Sequence, residues 1–244
     1  MNLLLLDSEQ SESDAIYKVS GRRMLHLLSI KKVRVSDKLF AGRVGKDLGI
    51  FHILEINSDY IKGEYSIESN PSISIELEIF LSYQRPQTMK KILFLAGAIG
   101  ISKIYMFPLV KTEKSYIQSS LWKDEKWLEE LYLGMEQGKN IFLPKVFHYE
   151  KLHSITPYFD KENLYCLDPQ GIWMNEGIQF PIPNQIIQFI LGPEGGMTVK
   201  DMEFFKKNGA KPIKLSKNIL RTEHAITYML AQLEILQEIK KNEF

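Results

Sequence analysis

The residues best suited to chemistry lie in Ile190-Leu191-Gly192-Pro193-Glu194-Gly195-Gly196-Met197-Thr198. Three glycines allow dihedrals closed to other residues and let the backbone come close to a ligand. An apolar run precedes them and a helix-capping threonine comes after, which is where open parallel sheets bind ligands. A plain strand-to-helix turn would use the same residue types. The chain has no G-x-G-x-x-G and no G-x-x-x-x-G-K-[ST], and the segment falls in its last quarter. A dinucleotide loop belongs to the first βα turn, so an ordinary nucleotide fold is disfavoured. A second segment, Leu215-Ser216-Lys217-Asn218-Ile219-Leu220-Arg221-Thr222-Glu223-His224-Ala225, gathers an Arg, a Thr and a Glu at a helix start. Thr222 as N-cap and Glu223 as a dipole-complementing acid account for two of them and leave Arg221 without a structural reason.

Other reactive residue types are sparse. The one cysteine, Cys166, excludes a disulfide framework and any multi-cysteine zinc site, and its apolar strand context makes it packing rather than a nucleophile. His26, His52, His148 and His153 have no metal-ligand spacing with carboxylates or thiols, so no metal is expected.

These segments need elements to hold them. The N-terminal part reads as β-rich, with strands over Asn2–Leu6, Lys38–Val44 and Gly49–Ile56, a spacing that fits a small barrel better than a βαβ unit. Asn70-Pro71-Ser72 marks a boundary. Beyond it, strands alternate with helices. Strands are predicted over Ile73–Tyr83, Ile104–Phe107, Leu164–Leu167, Ile186–Leu191 and Ile213–Leu215. Helices are predicted from Pro86 to the stop at Gly100, and over Lys123–Gln137, Thr198–Asn208 and Thr222–Lys241. That alternation means an α/β domain with a mainly parallel sheet.

Charge is unevenly placed. The whole chain of 244 residues has a formal net charge of +1, which rules out a basic coat as a global property. Yet Lys18 to Lys46 carries nine Lys and Arg against a single acid, Asp37. A solvated basic face is one reading. Phosphate contact is the other, because each neutralised phosphate releases condensed counterions. Apolar runs are too short to span a bilayer, and no basic n-region precedes Leu3–Leu6. The chain is expected to be soluble and cytoplasmic, without a membrane partner.

Taken together, these residues resemble the SPOUT-class methyltransferases that modify N3 of a uridine in small-subunit (16S) ribosomal RNA. The likeness spans nearly the whole chain. Its carriers are Leu191-Gly192-Pro193-Glu194-Gly195-Gly196, then Leu215-Ser216 and Ile219-Leu220-Arg221-Thr222-Glu223. Gly21-Arg22-Arg23, Arg85-Pro86, Glu113 to Ser119, Gly134-Met135-Glu136-Gln137 and Leu143-Pro144 add to it. The resemblance implies a PUA-like RNA-binding β-barrel domain over 1–72. Over 73–244 it implies an α/β methyltransferase domain with a parallel sheet, whose C-terminal trefoil knot holds S-adenosylmethionine. It implies a homodimer and a small-ribosomal-subunit substrate.

On that resemblance, three loops embrace the cofactor and supply Leu167; Leu191, Gly192, Pro193, Glu194, Gly195 and Gly196; and Leu215, Ser216, Ile219, Leu220 and Thr222. Gly195→Val is expected to abolish cofactor binding. Arg221 is expected to orient the uridine or stabilise negative charge on a carbonyl. Glu194 and Glu223 are expected to accept the N3 proton or to hold Arg221. Arg22, Arg23, Lys31, Lys32, Arg34 and Arg85 are the expected RNA contacts. His224 departs from the family pattern and is read as a packing change. Rival readings are a related enzyme acting on another ribosomal or transfer RNA position, and an RNA-binding homologue without catalysis.

Overall fold

The computed structural model describes residues 1–73, 76–123, 126–179 and 186–241. The chain divides into two compact units. One comprises Met1–Ser72 together with Gly97–Gly100 and Leu131–Leu143. The other comprises Ile73–Ala96, Ile101–Glu130 and Pro144–Phe244. The first unit therefore takes in two segments that a single cut of the chain at Ser72 assigns to the second.

The first unit contains a five-stranded sheet of β1 (Leu4–Leu6), β2 (Ile16–Val19), β3 (Lys38–Arg43), β4 (Asp47–Ile56) and β5 (Ile61–Ser69). Their order is β1-β3-β4-β5-β2, antiparallel except for the parallel pairing of β1 with β3. Alternation builds it: Asp47, Gly49, Phe51 and Ile53 turn inward while Leu48, Ile50 and His52 are more exposed. Phe51, Ile53, Ile61, Tyr17, Val19 and Tyr65 form the core. Sequence patterning predicts β1, β3 and β4. It does not predict the short helix α1 (Gly21–His26), which continues as a wider π-type turn over Leu27–Lys31. Glycine at φ +60 opens that helix, and β-branched residues are absent until Ile30.

The second unit contains a six-stranded, wholly parallel sheet. Its strands are β6 (Glu76–Ser82), β7 (Lys103–Phe107), β8 (Lys145–His148), β9 (Leu164–Trp173), β10 (Ile186–Leu191) and β11 (Lys211–Lys214), in the order β11-β9-β10-β6-β7-β8. The helices are α2 (Pro86–Ile99), α3 (Lys114–Ile117), α4 (Lys126–Gly138), α5 (Met174–Gly177), α6 (Val199–Lys207) and α7 (Thr222–Lys241), with the ends of α2 and α4 belonging to the first unit. The α/β class with a parallel sheet is as the alternation requires. In β6 and β10 every residue after the first is buried, as expected for a sheet covered on both faces. Phe80, Phe107, Leu164, Cys166, Ile190 and Phe205 fill the core.

Two predicted boundaries fall partly outside the described residues: Ser74 and Ile75 of the strand before β6's start, and Asp124 and Glu125 of the helix before α4. Two others shift. The last strand is Lys211–Lys214, so Leu215 already belongs to the next turn. The strand expected to stop at Leu167 runs on to Trp173, but with an irregularity. Cys166 pairs with Pro212 and Ile172 with Ile213, so Leu167 to Gly171 bulge out of the ladder. Among the described residues no helix is long and apolar enough to cross a membrane.

Candidate functional site

Strands β9, β10 and β11 lie side by side and parallel, so the chain segments at their C-terminal ends gather at one edge of the sheet. The β9 bulge brings Leu167, Asp168 and Pro169 there, the end of β10 brings Leu191 to Glu194 with Gly196 and Met197, and the turn after β11 brings Leu215, Ser216 and Asn218 to Thr222. These three pieces line one cavity of about 740 Å³, within the ~300–1,000 Å³ usual for small-molecule sites. Such a site sits where open α/β sheets place their ligands.

The glycine loop is shaped by its own backbone. Gly196 adopts φ +72, and its amide donates to the Pro193 carbonyl at 2.8 Å. A Cβ on Gly192 would stand 2.7 Å from Met197 Cγ. The loop then enters α6 through a reciprocal cap. The Thr198 hydroxyl accepts from the Asp201 amide at 3.2 Å and the Asp201 carboxylate accepts from the Thr198 amide at 2.8 Å.

Side chains from elsewhere in the same unit fasten the loop. The Thr88 hydroxyl donates to Glu194 Oε1 at 2.8 Å, and Arg85 Nε lies 2.9 Å from Glu194 Oε2. Arg85 Nε also donates to the Tyr116 hydroxyl at 3.0 Å. Lys111 Nζ donates to the Gly195 carbonyl at 2.9 Å. Gln84 bonds both the Gly192 carbonyl and the Thr222 hydroxyl. Gln84, Thr88, Lys91 and Lys111 are the residues that sequence reasoning misses. Arg85-Pro86 at a helix start is a nearby signal, but neither spacing nor residue type singles out the four.

Most of the expected site residues meet at this cavity. Leu167, Leu191, Gly192, Pro193, Glu194, Gly196, Leu215, Ser216, Ile219, Leu220 and Thr222 line it together with Arg221 and Glu223. Gly195 does not line it. A Cβ there would meet Lys111 Cδ at 3.5 Å and Lys111 Cβ at 3.6 Å, both ordinary contacts. Gly192 and Gly196 are the constrained positions, through contact and through φ respectively. Thr222 is not a simple N-cap either, since its hydroxyl donates to Gln84 Oε1 at 3.0 Å.

Glu223 is 8% exposed and faces Lys91 Nζ at 3.6 Å. Among the described residues the ion pairs of Glu194 and Glu223 go to Arg85 and Lys91, so neither carboxylate holds Arg221. Arg221 is exposed at the cavity. His224 is exposed as well, so it is not a packing residue. Cys166 does pack: it is fully buried, its Sγ lies 3.7 Å from both Met197 Sδ and Met202 Sδ, and burial pushes its thiol pKa up. Among the described residues no group of three or more His, Cys, Asp or Glu could hold a metal ion.

The basic segment of the first unit is not uniform. Lys31, Lys32 and Arg34 are exposed. Arg22 instead forks onto Glu136, with its two terminal nitrogens 3.0 and 2.7 Å from the carboxylate. Arg23 is 9% exposed and bonds Asp7 at 2.6 Å and Glu136 at 2.8 Å. Desolvation works against its charge, but Asp7 and Glu136 outweigh it and raise its pKa. A buried guanidinium already shared by two carboxylates is a fold-holding cation, which removes Arg23 from the surface that an RNA could touch.

Residues 71–234 match the family of RNA methyltransferase domains. The chain is 28% identical over 229 residues to ribosomal RNA small subunit methyltransferase E 1 of Borreliella burgdorferi, covering 92% of this chain and 94% of that one. Its fold is similar to that of a ribosomal RNA small subunit methyltransferase E from Neisseria gonorrhoeae bound to S-adenosyl methionine. The TM-score is 0.81 at 17% identity, over 97% of this chain and 98% of the other. A methyltransferase from Legionella pneumophila in complex with the same cofactor gives 0.80 at 16% identity, over 98% and 97%.

Proposed function

The chain belongs to the family of RNA methyltransferase domains, and from that premise we propose that it methylates N3 of a uridine in 16S ribosomal RNA, using S-adenosylmethionine. The observation that carries this reading is the convergence of the β9 bulge, the Gly192–Gly196 loop and the Leu215–Thr222 turn on one cavity.

The lining fits the cofactor. Leu167, Leu191, Pro193, Leu215 and Leu220 offer apolar surface for a purine and a thioether chain, and the missing Cβ of Gly192 leaves room for Met197 to pack against the loop. Asp168, Glu194 and Glu223 supply negative charge toward a cationic ligand. Bound there, S-adenosylmethionine supplies an electrophilic methyl group on a sulfonium.

The protein's part is mainly positioning, which for well-aligned reactants is worth about 7–11 kcal/mol of barrier. Arg221, exposed at the cavity and without a carboxylate partner among the described residues, can donate to a uracil carbonyl and stabilise the charge left when N3 loses its proton. Of the three carboxylates that line the cavity, Asp168, Glu194 and Glu223, the last two are the candidates to take that proton. Glu223 sits beside Lys91, while Glu194 is already held from two sides by Arg85 and Thr88.

In this reading residues 1–72 are a PUA-like barrel that binds RNA through Lys31, Lys32, Arg34 and Arg22, and Arg85 is a separate RNA contact of the second unit. Residues 73–244 are the catalytic domain, with the C-terminal loops tied as a trefoil knot. The enzyme works as a cytoplasmic homodimer; exposed Ile219, Tyr228, Ile235 and Ile239 support a partner surface on α7 and the turn before it. Incubation with methyl-labelled S-adenosylmethionine and small ribosomal subunits lacking the modification, followed by nucleoside mass spectrometry, should yield labelled 3-methyluridine. Label on another nucleoside or on a ribose would assign a different target.

A further inference from the structure

Two of the pieces around the cavity, the glycine loop and the start of α7, are separated by α6 and β11 in the chain. One buried side chain outside the cavity lining touches both. Gln84, between β6 and α2, is 1% exposed. Its Nε2 donates to the Ser82 carbonyl at 2.7 Å and to the Gly192 carbonyl at 2.9 Å. Its Oε1 accepts from the Thr222 hydroxyl at 3.0 Å. Carbonyls only accept, so the amide has a single possible orientation, and the Thr222 hydroxyl must be the donor. Ser82 ends β6, where the preceding Leu81 pairs with Leu191 at the end of β10. Gln84 is thus anchored to the middle of the sheet and reaches out to both loops.

We propose that Gln84 is a positioning residue that sets the glycine loop against the first turn of α7, so that the cofactor cavity exists before the cofactor arrives. The inference rests on reading that cavity as the S-adenosylmethionine site. The β10 ladder holds the loop as far as Leu191, and among the described residues Gln84 is the side chain that bonds the next residue, Gly192. The loop's internal bond, from the Gly196 amide to Pro193, and the contacts of Glu194 and Gly195 all lie beyond Gly192. If the Gln84 bonds are lost, each piece keeps its own conformational freedom, and the ligand must order both when it binds.

Size and hydrogen bonding make opposite demands at this position, which gives the test. Gln84→Met keeps the volume and loses all three bonds. Gln84→Glu keeps the shape but points an acceptor at two carbonyls. Thr222→Val removes the donor from the other end. S-adenosylmethionine is titrated calorimetrically into the purified full chain and these variants, and amide hydrogen exchange of Gly192 to Gly196 is monitored with no ligand present.

Gln84→Met should bind about tenfold more weakly, and Gln84→Glu more weakly still despite its shape, because buried acceptors are then left facing one another. The Gln84→Met/Thr222→Val pair should lie within about twofold of its weaker parent, since the two changes break one connection. Exchange in the loop should quicken in Gln84→Met. Binding within about twofold of wild type in both Gln84 variants, losses that multiply in the pair, or unchanged exchange would each overturn the proposal. Failure of the unaltered chain to bind S-adenosylmethionine would instead overturn the proposed function, while the ligand-free exchange still judges Gln84.

Discussion

Arg221 is the residue whose proposed role separates chemistry from binding most cleanly. It lies on the cavity, it is exposed, and neither neighbouring carboxylate holds it. Arg221→Ala should therefore lower turnover by about 10²–10³-fold, the usual effect of removing a preorganised donor, while calorimetry finds S-adenosylmethionine affinity little changed. Near-normal turnover would take it off the catalytic path. The basic residues of the first unit divide in the same way. Arg34→Ala should weaken RNA binding and reduce the slope of log K against log salt by about one, measured by filter binding across a salt series. Arg23→Ala should leave that slope alone and lower the melting temperature, because Arg23 spends its charge on Asp7 and Glu136. Leaving those carboxylates without it costs up to about 3–5 kcal/mol, as for other broken buried pairs. Sequence could name Arg22 and Arg23 as cations but not their partners, since Glu136 lies 113 positions from Arg23.

Among the elements, α6 is the one that local sequence predicts best. Thr198, Asp201, Lys206 and Lys207 supply cap, first-turn acid and last-turn bases within a few residues of one another. Thr198→Ala should cost about 1 kcal/mol by thermal or denaturant unfolding. It should also weaken cofactor binding, because the same cap ends the glycine loop. The crossing of α2 and α4 is tighter than residue types announce. A Cβ on Gly138 would lie 1.9 Å from the Ala98 carbonyl oxygen, and one on Gly97 would lie 2.2 Å from that of Leu131. Gly138→Ala should thus destabilise despite its better helix propensity, by at least the ~1–3 kcal/mol of an overpacked core, read from the unfolding midpoint. The β9 bulge was the least legible element. Leu167-Asp168-Pro169 reads as a loop after a strand, whereas the strand resumes at Ile172, in register with Ile213 of β11. Only a neighbouring strand can define a bulge, so no local pattern predicts it.

At the scale of the molecule, buried charge ties stability to pH. In the first unit, the Asp47 carboxylate is held below its ordinary pKa chiefly by the guanidinium of Arg43 and then by the Tyr65 hydroxyl, at 2.8 Å. A depressed carboxylate stabilises the fold above its unfolded pKa, near ~3.9, and that contribution disappears as pH falls below it. Melting temperature should therefore drop with pH below about 4, and Asp47→Asn should be less stable at neutral pH but flatter across the acid window. A variant as steep as the wild type would assign acid sensitivity to other carboxylates. What the sequence determined alone was what short-range periodicity and residue chemistry can carry. That includes the α/β alternation, the buried strands β6 and β10, and the capped start of α6; the glycine segment and the arginine-bearing segment became specific only together, through their resemblance to a family. What the tertiary structure decided was which side chains meet. It put Glu194 with Arg85 and Thr88, Glu223 with Lys91, and Gln84 between Gly192 and Thr222. The reason is physical: propensity and patterning act over a few residues, whereas a parallel sheet takes its neighbours from distant parts of the chain, so its ends bring together side chains that no spacing in the sequence relates.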